Sequence, residues 1–159
     1  MQESLCWNAA RTGENLRSAG QVASNITAMV RTSPVAKHAS HYRATATHTF
    51  NTLTNNTCML QQAVRELMPE LYQPGHQYAK AGVLLLGLLP EDAVPYTLFT
   101  PTKDISSDTL QSSLDAVNKR YGEGTLRYEA NGLLRPWMAH RNCMSPAYTT
   151  DWQSFMTVS

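Results

Sequence analysis

Gln21-Val22-Ala23-Ser24-Asn25-Ile26-Thr27-Ala28-Met29-Val30-Arg31 reads with a period of two. Val22, Ile26, Ala28 and Val30 fall on one face and Asn25, Thr27, Met29 and Arg31 on the other, which is the pattern of a half-buried β-strand. Upstream, Gly20 stops a segment from Met1 to about Ser18 in which Leu5, Ala9, Thr12 and Leu16 form one stripe of an amphipathic helix, with Arg11, Glu14 and Arg17 elsewhere. Downstream, Pro34 ends the strand, and a polar connection containing Ser40-His41 leads to a second strand, about Tyr42 to Leu53. The pair predicts a hairpin with a loose loop.

Asn55-Asn56-Thr57 supplies helix-capping residues, and Leu60, Ala63, Val64, Leu67, Met68 and Leu71 give the best helical stripe in the chain. Pro69 falls in the last turn, where the helix is expected to end or kink. Pro74-Gly75 turns the chain into a third strand, Gln77 to Leu89, whose second half is apolar on both faces and so calls for cover on both, for instance from the C-terminal tail. Pro90, Pro95 and Pro101 mark an extended linker. Beyond it, Ser106 to Arg120 predicts a helix through Leu110, Leu114 and Val117, and Thr125 to Tyr128 a short strand. The organisation is thus a module over 1–89, a linker over 90–105 and a tail region over 106–159. The order helix–strand–strand–helix–strand is α+β, a split βαβ arrangement lacking its first strand.

A chain of 159 residues holds one domain with an appendage or two very small ones. Cys6, Cys58 and Cys143 are odd in number and widely spaced, which argues against a disulfide framework and for a reducing compartment. With no apolar run approaching the roughly 20 residues of a membrane helix and no signal-peptide core, the cytoplasm is the expected location and no membrane partner is implied. Net charge is only +1, but it is divided. Residues 1–89 carry seven basic and four acidic side chains, residues 90–159 six and eight. Such a split suits a weakly basic DNA-facing module joined to a tail that meets protein, or else is chance scatter.

Arg31-Thr32-Ser33-Pro34 places a cation, two hydroxyls and backbone N–H groups at a strand end, a chemistry that grips phosphate without reading bases. As structure alone it is a strand ended by proline. Tyr78-Ala79-Lys80-Ala81-Gly82-Val83 sets a cation among small residues that permit close approach, either of DNA or of a neighbouring strand. The aromatic and methionine residues of the tail, Trp137, Met138, Met144, Tyr148, Trp152 and Phe155, follow no single helical period, and form either a small core or a hot-spot surface. His140-x-x-Cys143 has a spacing that zinc accepts, but no second ligand pair follows, so neither a metal nor a cofactor is expected. The carboxylates are scattered rather than clustered as two-metal polymerase chemistry requires.

These stretches, with Leu98-Phe99 and Ser145-Pro146-Ala147-Tyr148-Thr149-Thr150-Asp151-Trp152, occur in the order found in the C-terminal part of a UmuC-type Y-family DNA polymerase, the error-prone subunit of bacterial DNA polymerase V, which the chain resembles over nearly its whole length. The resemblance implies a little-finger-like module in translesion synthesis, SOS mutagenesis and DNA repair, with the family's catalytic region lying before Met1 and no enzymatic activity here. It implies DNA-backbone contacts at Arg31, Arg43 and Lys80, with Thr32, Ser33 and Tyr78 beside them. It further implies partner contacts: a UmuD-type dimer through the tail, at Trp137, Tyr148 and Trp152, a recombinase filament, and a sliding clamp through Leu98 and Phe99. In the clamp peptide, however, Pro95 and Tyr96 depart from the family's glutamine and first leucine. The alternatives are a protein-binding decoy that occupies those partners without touching DNA, or a nonfunctional remnant. If the topology follows the family, the absent first strand would lie within the sheet. Unpaired backbone there would cost about 1–3 kcal/mol per buried group and favour self-association.

Overall fold

The computed structural model describes residues 1–33, 41–94, 105–132 and Trp137, with backbone alone at 105–107. Helix α1 spans Gln2–Ser18, strand β1 Gln21–Thr32, β2 Arg43–Thr54, helix α2 Thr57–Leu71, β3 Tyr78–Leu86, the two-residue β4 Leu89–Pro90, and helix α3 Ile105–Tyr121. Gly20 adopts φ 62°, the left-handed conformation that ends α1 and turns the chain into β1. The Asn56 side chain accepts from the N–H groups of Cys58 (2.9 Å) and Met59 (3.3 Å), satisfying two donors of the first turn of α2. Pro69 does not stop that helix. It continues to Leu71, and the Tyr72 N–H closes it on the Met68 carbonyl.

The sheet is antiparallel in the order β2-β1-β3, with β4 on β1. Strand β1 is central, and its ladders run from Asn25 to Arg31 on both sides. This corrects the expected interior gap: the three strands are direct neighbours, so no backbone is orphaned between them, and an added strand would have to join an outer edge. The α+β architecture itself is as read from sequence.

Both helices cover one sheet face, α1 over β3 and β1, α2 over β2 and β1. Leu5, Cys6, Ala9 and Leu16 of α1 meet Leu60, Ala63, Val64, Leu67 and Leu71 of α2 above Ile26, Ala28, Val30, Ala46, Phe50 and Leu85. Gly13 lets the helices close: a Cβ there would lie 3.0 Å from Leu60 Cδ1 and 3.1 Å from Thr57 Oγ1.

Helix α3 forms over the expected residues but presents another face. Gln111 and Asn118 are buried, with Asp115 beside them, whereas Leu110 is 61% and Tyr121 65% exposed. The reason is Arg17. Its guanidinium donates from Nε and one terminal nitrogen to both oxygens of Asp115 (2.7 and 2.9 Å), and from the other to the Asn55 carbonyl (2.8 Å), Thr57 Oγ1 (2.9 Å) and Gln111 Oε1 (2.9 Å). The Thr57 N–H also donates to Gln111 Oε1. The polar stripe of α3 therefore docks where α1 ends and α2 begins. The strand expected over Thr125–Tyr128 is absent. Gly122 and Gly124 take positive φ, and the Asn118 amide pairs with both the N–H and the carbonyl of Leu126 (2.9 Å each), supplying what a neighbouring strand would have given.

The expected second cover on β3 is not found among the described residues. Leu85 is buried, but Leu84 (47% exposed) and Leu86 face outward. No helix among the described residues is long and apolar enough to cross a membrane.

Candidate nucleic-acid interface

The register of β1 builds the outward face row by row. Arg31 lies opposite Arg43 on one side and Lys80 on the other, so the three strands bring these cations into one exposed line. At strand spacings near 4.8 Å, the line is about 10 Å long. Like charges directly opposite each other are destabilising by up to about 1 kcal/mol per pair. Among the described residues, no carboxylate forms an ion pair with any of the three. The arrangement favours an anion supplied from outside.

The next rows are Thr45, Met29 and Gly82; Thr47, Thr27 and Leu84; and Thr49, Asn25 and Leu86. Side chains alternate across the sheet, so the three β2 threonines form an exposed ladder beside the cations. Thr27 and Thr47 share a hydroxyl bond of 2.8 Å, and the Asn25 amide donates to Thr49 Oγ1 at 2.7 Å. The β3 side of the same face is aliphatic. At Gly82 a Cβ would meet only the Met29 side chain, at an ordinary 3.5 Å. Tight packing within the sheet therefore does not require this glycine.

Not every residue expected in the site joins the row. Thr32 is buried: its hydroxyl accepts from the Tyr42 N–H (3.0 Å), while its own N–H donates to the Tyr42 carbonyl (2.9 Å), so it closes the hairpin. Tyr78 is turned to the helix side by a register shift, because Arg31 pairs with Lys80 but Thr32 pairs with Tyr78. Its hydroxyl accepts from the Gln73 N–H (2.7 Å) and donates to the Gln73 carbonyl (3.0 Å). Ser33 is half-buried just past β1. Trp137 is half-buried with its ring 6.4 Å from that of Trp7. Leu98, Phe99, Tyr148 and Trp152 lie outside the described residues.

Two features were not read from sequence. The threonine ladder was visible as Thr45-x-Thr47-x-Thr49, an alternation inside a predicted strand. The second is a ring cluster at the same end of the sheet as the cations. Tyr42 stacks on His76 (4.8 Å between centroids, 18°), Tyr78 meets Tyr42 edge-on, and Tyr72 lies 6.1 Å from Tyr78. Among the described residues, no group of three or more His, Cys, Asp or Glu side chains is placed to hold a metal.

Comparison with known proteins fits this arrangement to a family. Residues 1–98 match the impB/mucB/samB family C-terminal domain, and residues 108–158 match a domain of unknown function (DUF4113). Protein UmuC of Salmonella typhimurium LT2 is 30% identical over 99% of this chain and 38% of its own length. Protein MucB of Salmonella typhimurium is 30% identical over 97% of this chain and 36% of its own, and protein SamB 31% over 96% and 36%. The chain thus spans somewhat more than a third of the length of these relatives. With its α+β module falling inside the matched residues, the chain belongs to the impB/mucB/samB family, through that family's C-terminal domain.

Proposed function

We propose that this chain is a DNA-backbone-binding module of the translesion-polymerase kind, without nucleotidyl transfer activity of its own, acting in SOS mutagenesis in the cytoplasm. The observation that supports it is the row Arg43–Arg31–Lys80, exposed, in register across three strands and without a carboxylate among the described residues. Each of the three cations can neutralise one phosphate, and every phosphate so neutralised releases condensed counterions. Hydroxyls of Thr45, Thr47 and Thr49 continue the surface with groups suited to phosphate and sugar oxygens. The Asn25 amide spends one of its donors on Thr49 Oγ1. A contact made through phosphate and sugar oxygens is independent of sequence.

Fluorescence anisotropy with a blunt duplex between 50 and 200 mM salt tests this. Three neutralised phosphates predict a slope of log K on log salt of about −2.7, and replacing Arg31, Arg43 and Lys80 by alanine should flatten it. Unchanged low-salt binding in the triple variant would remove this face from the account.

The outward stripe of α3 favours a second, compatible reading, contact with protein. Leu110 and Tyr121 are exposed, while Leu114 and Val117 between them are half-buried. A UmuD-type dimer is the partner proposed for this region together with Trp137, Tyr148 and Trp152, and Leu98-Phe99 is proposed to reach a sliding clamp. Changing Leu110 and Tyr121 to aspartate should abolish co-purification of the dimer while leaving DNA binding intact. Retained co-purification would exclude the stripe.

A further inference from the structure

The ring cluster beside the cation row has a role that backbone binding leaves unexplained. Tyr42 and Tyr78 are held rigidly. The Tyr42 hydroxyl donates to the Leu71 carbonyl (3.3 Å), and that of Tyr78 is fixed between the N–H and carbonyl of Gln73. On this fixed base sit His76, stacked on Tyr42, and Tyr72, tilted 34° to Tyr78 and 54% exposed. Tyr42 precedes Arg43 directly, and Tyr78 lies two residues before Lys80, within about 7 Å along a strand. Rings and cations thus share one end of the sheet, the rings on its helix side and the cations on its outer side.

We infer that Tyr72 and His76 form a stacking platform for an unpaired nucleobase whose flanking phosphates rest on Arg43 and Lys80. Each element matches what such binding needs. Stacking is tolerant of base identity because every base has a π-face, and it gains where the rings beneath are already fixed, as Tyr42 and Tyr78 are by their hydroxyl bonds. Within a duplex each base is already stacked on both faces, so the platform gains nothing along its length. It adds affinity where a single strand passes round the end of the sheet. This inference rests on the backbone-binding reading and extends it to a preference for DNA carrying unpaired nucleotides.

The test compares the full chain on a blunt duplex, on the same duplex with a short single-stranded overhang, and on that duplex with an abasic overhang of equal charge. The normal overhang should raise affinity on the order of tenfold, and the abasic one should return it close to the blunt value. Tyr72→Ala and His76→Ala should lose the gain while binding the blunt duplex as before, and Tyr72→Trp should restore or exceed it. Equal binding of abasic and normal overhangs would overturn the platform while leaving the backbone reading standing. Failure to bind any of the three DNAs would overturn both.

Discussion

Replacing Arg17 by methionine keeps most of the apolar stem and removes every donor of the guanidinium. Five hydrogen bonds go: two to Asp115 and one each to the Asn55 carbonyl, Thr57 Oγ1 and Gln111 Oε1. Gln111 Oε1 retains the Thr57 N–H at 3.0 Å, so that acceptor is not orphaned, but the Asp115 carboxylate loses its cation. Breaking a fully buried pair costs about 3–5 kcal/mol, whereas an exposed pair contributes about 1 kcal/mol or less. With side chains 15% and 22% exposed, Arg17 and Asp115 lie nearer the buried limit. The expected loss is about 2–4 kcal/mol, or roughly 5–15 °C in Tm for a protein of this size. Urea denaturation followed by circular dichroism measures the loss, and limited proteolysis should show faster cleavage within α3, because Arg17 is what holds the polar face of that helix. A double-mutant cycle with Asp115→Asn should give a coupling above about 1 kcal/mol. A loss under 1 kcal/mol with α3 as protease-resistant as before would refute the reasoning, and α3 would be held by other contacts.

Iodoacetamide labelling mapped by mass spectrometry should modify the exposed Cys58 in the folded protein and leave Cys6 unmodified until denaturant is added, since Cys6 is buried and burial pushes its thiol up despite the opposing pull of Arg65. Burial likewise raises the Tyr128 phenol above its ordinary 10.0, so its contribution is whole below pH 10 and is lost as pH rises through the folded value; Tyr128→Phe should lose stability less steeply over that alkaline range. Primer extension with magnesium and all four nucleotides should give no product, and robust extension free of contaminating polymerase would contradict the noncatalytic reading.

Periodicity carried most of the module. In β1 the alternation of Ile26, Ala28 and Val30 with Thr27, Met29 and Arg31 matches the inner and outer faces, whereas the irregularity between Ala23 and Asn25 puts Ala23 rather than Val22 in the core cluster; the stripe from Leu60 to Leu71 is the buried face of α2. The pattern failed where long-range polar contacts decide orientation. In α3 the stripe of Leu110, Leu114 and Val117 predicts the core side, yet Leu110 is exposed and Leu114 and Val117 are only half-buried. One arginine ninety-odd residues earlier turns Gln111 and Asp115 inward instead, and no local signal announces it. Strand order was equally hidden, because the alternation in β3 is the same whether its neighbour is β1 or an added strand. Of the candidate site, the cations were legible as strand residues with outward parity. The inward turn of Tyr78 was not, because it depends on a one-residue irregularity between the Arg31–Lys80 and Thr32–Tyr78 pairs that leaves no mark in composition.

The three arginines Arg17, Arg31 and Arg43 show how one side chain serves two purposes in this fold. Arg17 is saturated: its donors are spent on acceptors from α2 and α3, its charge is neutralised by Asp115, and little of it reaches water. Such a group stabilises a docking contact and has nothing left for a ligand. Arg31 and Arg43 are exposed, face each other across a strand pair with Lys80 completing the line, and among the described residues have no carboxylate partner. Their mutual repulsion costs stability in the free protein and is relieved when phosphates approach, so that relief adds to the affinity for an anion. Removing them should therefore leave folding unchanged or slightly improved while weakening DNA binding, whereas removing Arg17 should do the reverse. Because the two groups lie on opposite sides of the helix-covered sheet, a variant that lost both properties at once would point to a coupling across the sheet that these contacts do not contain.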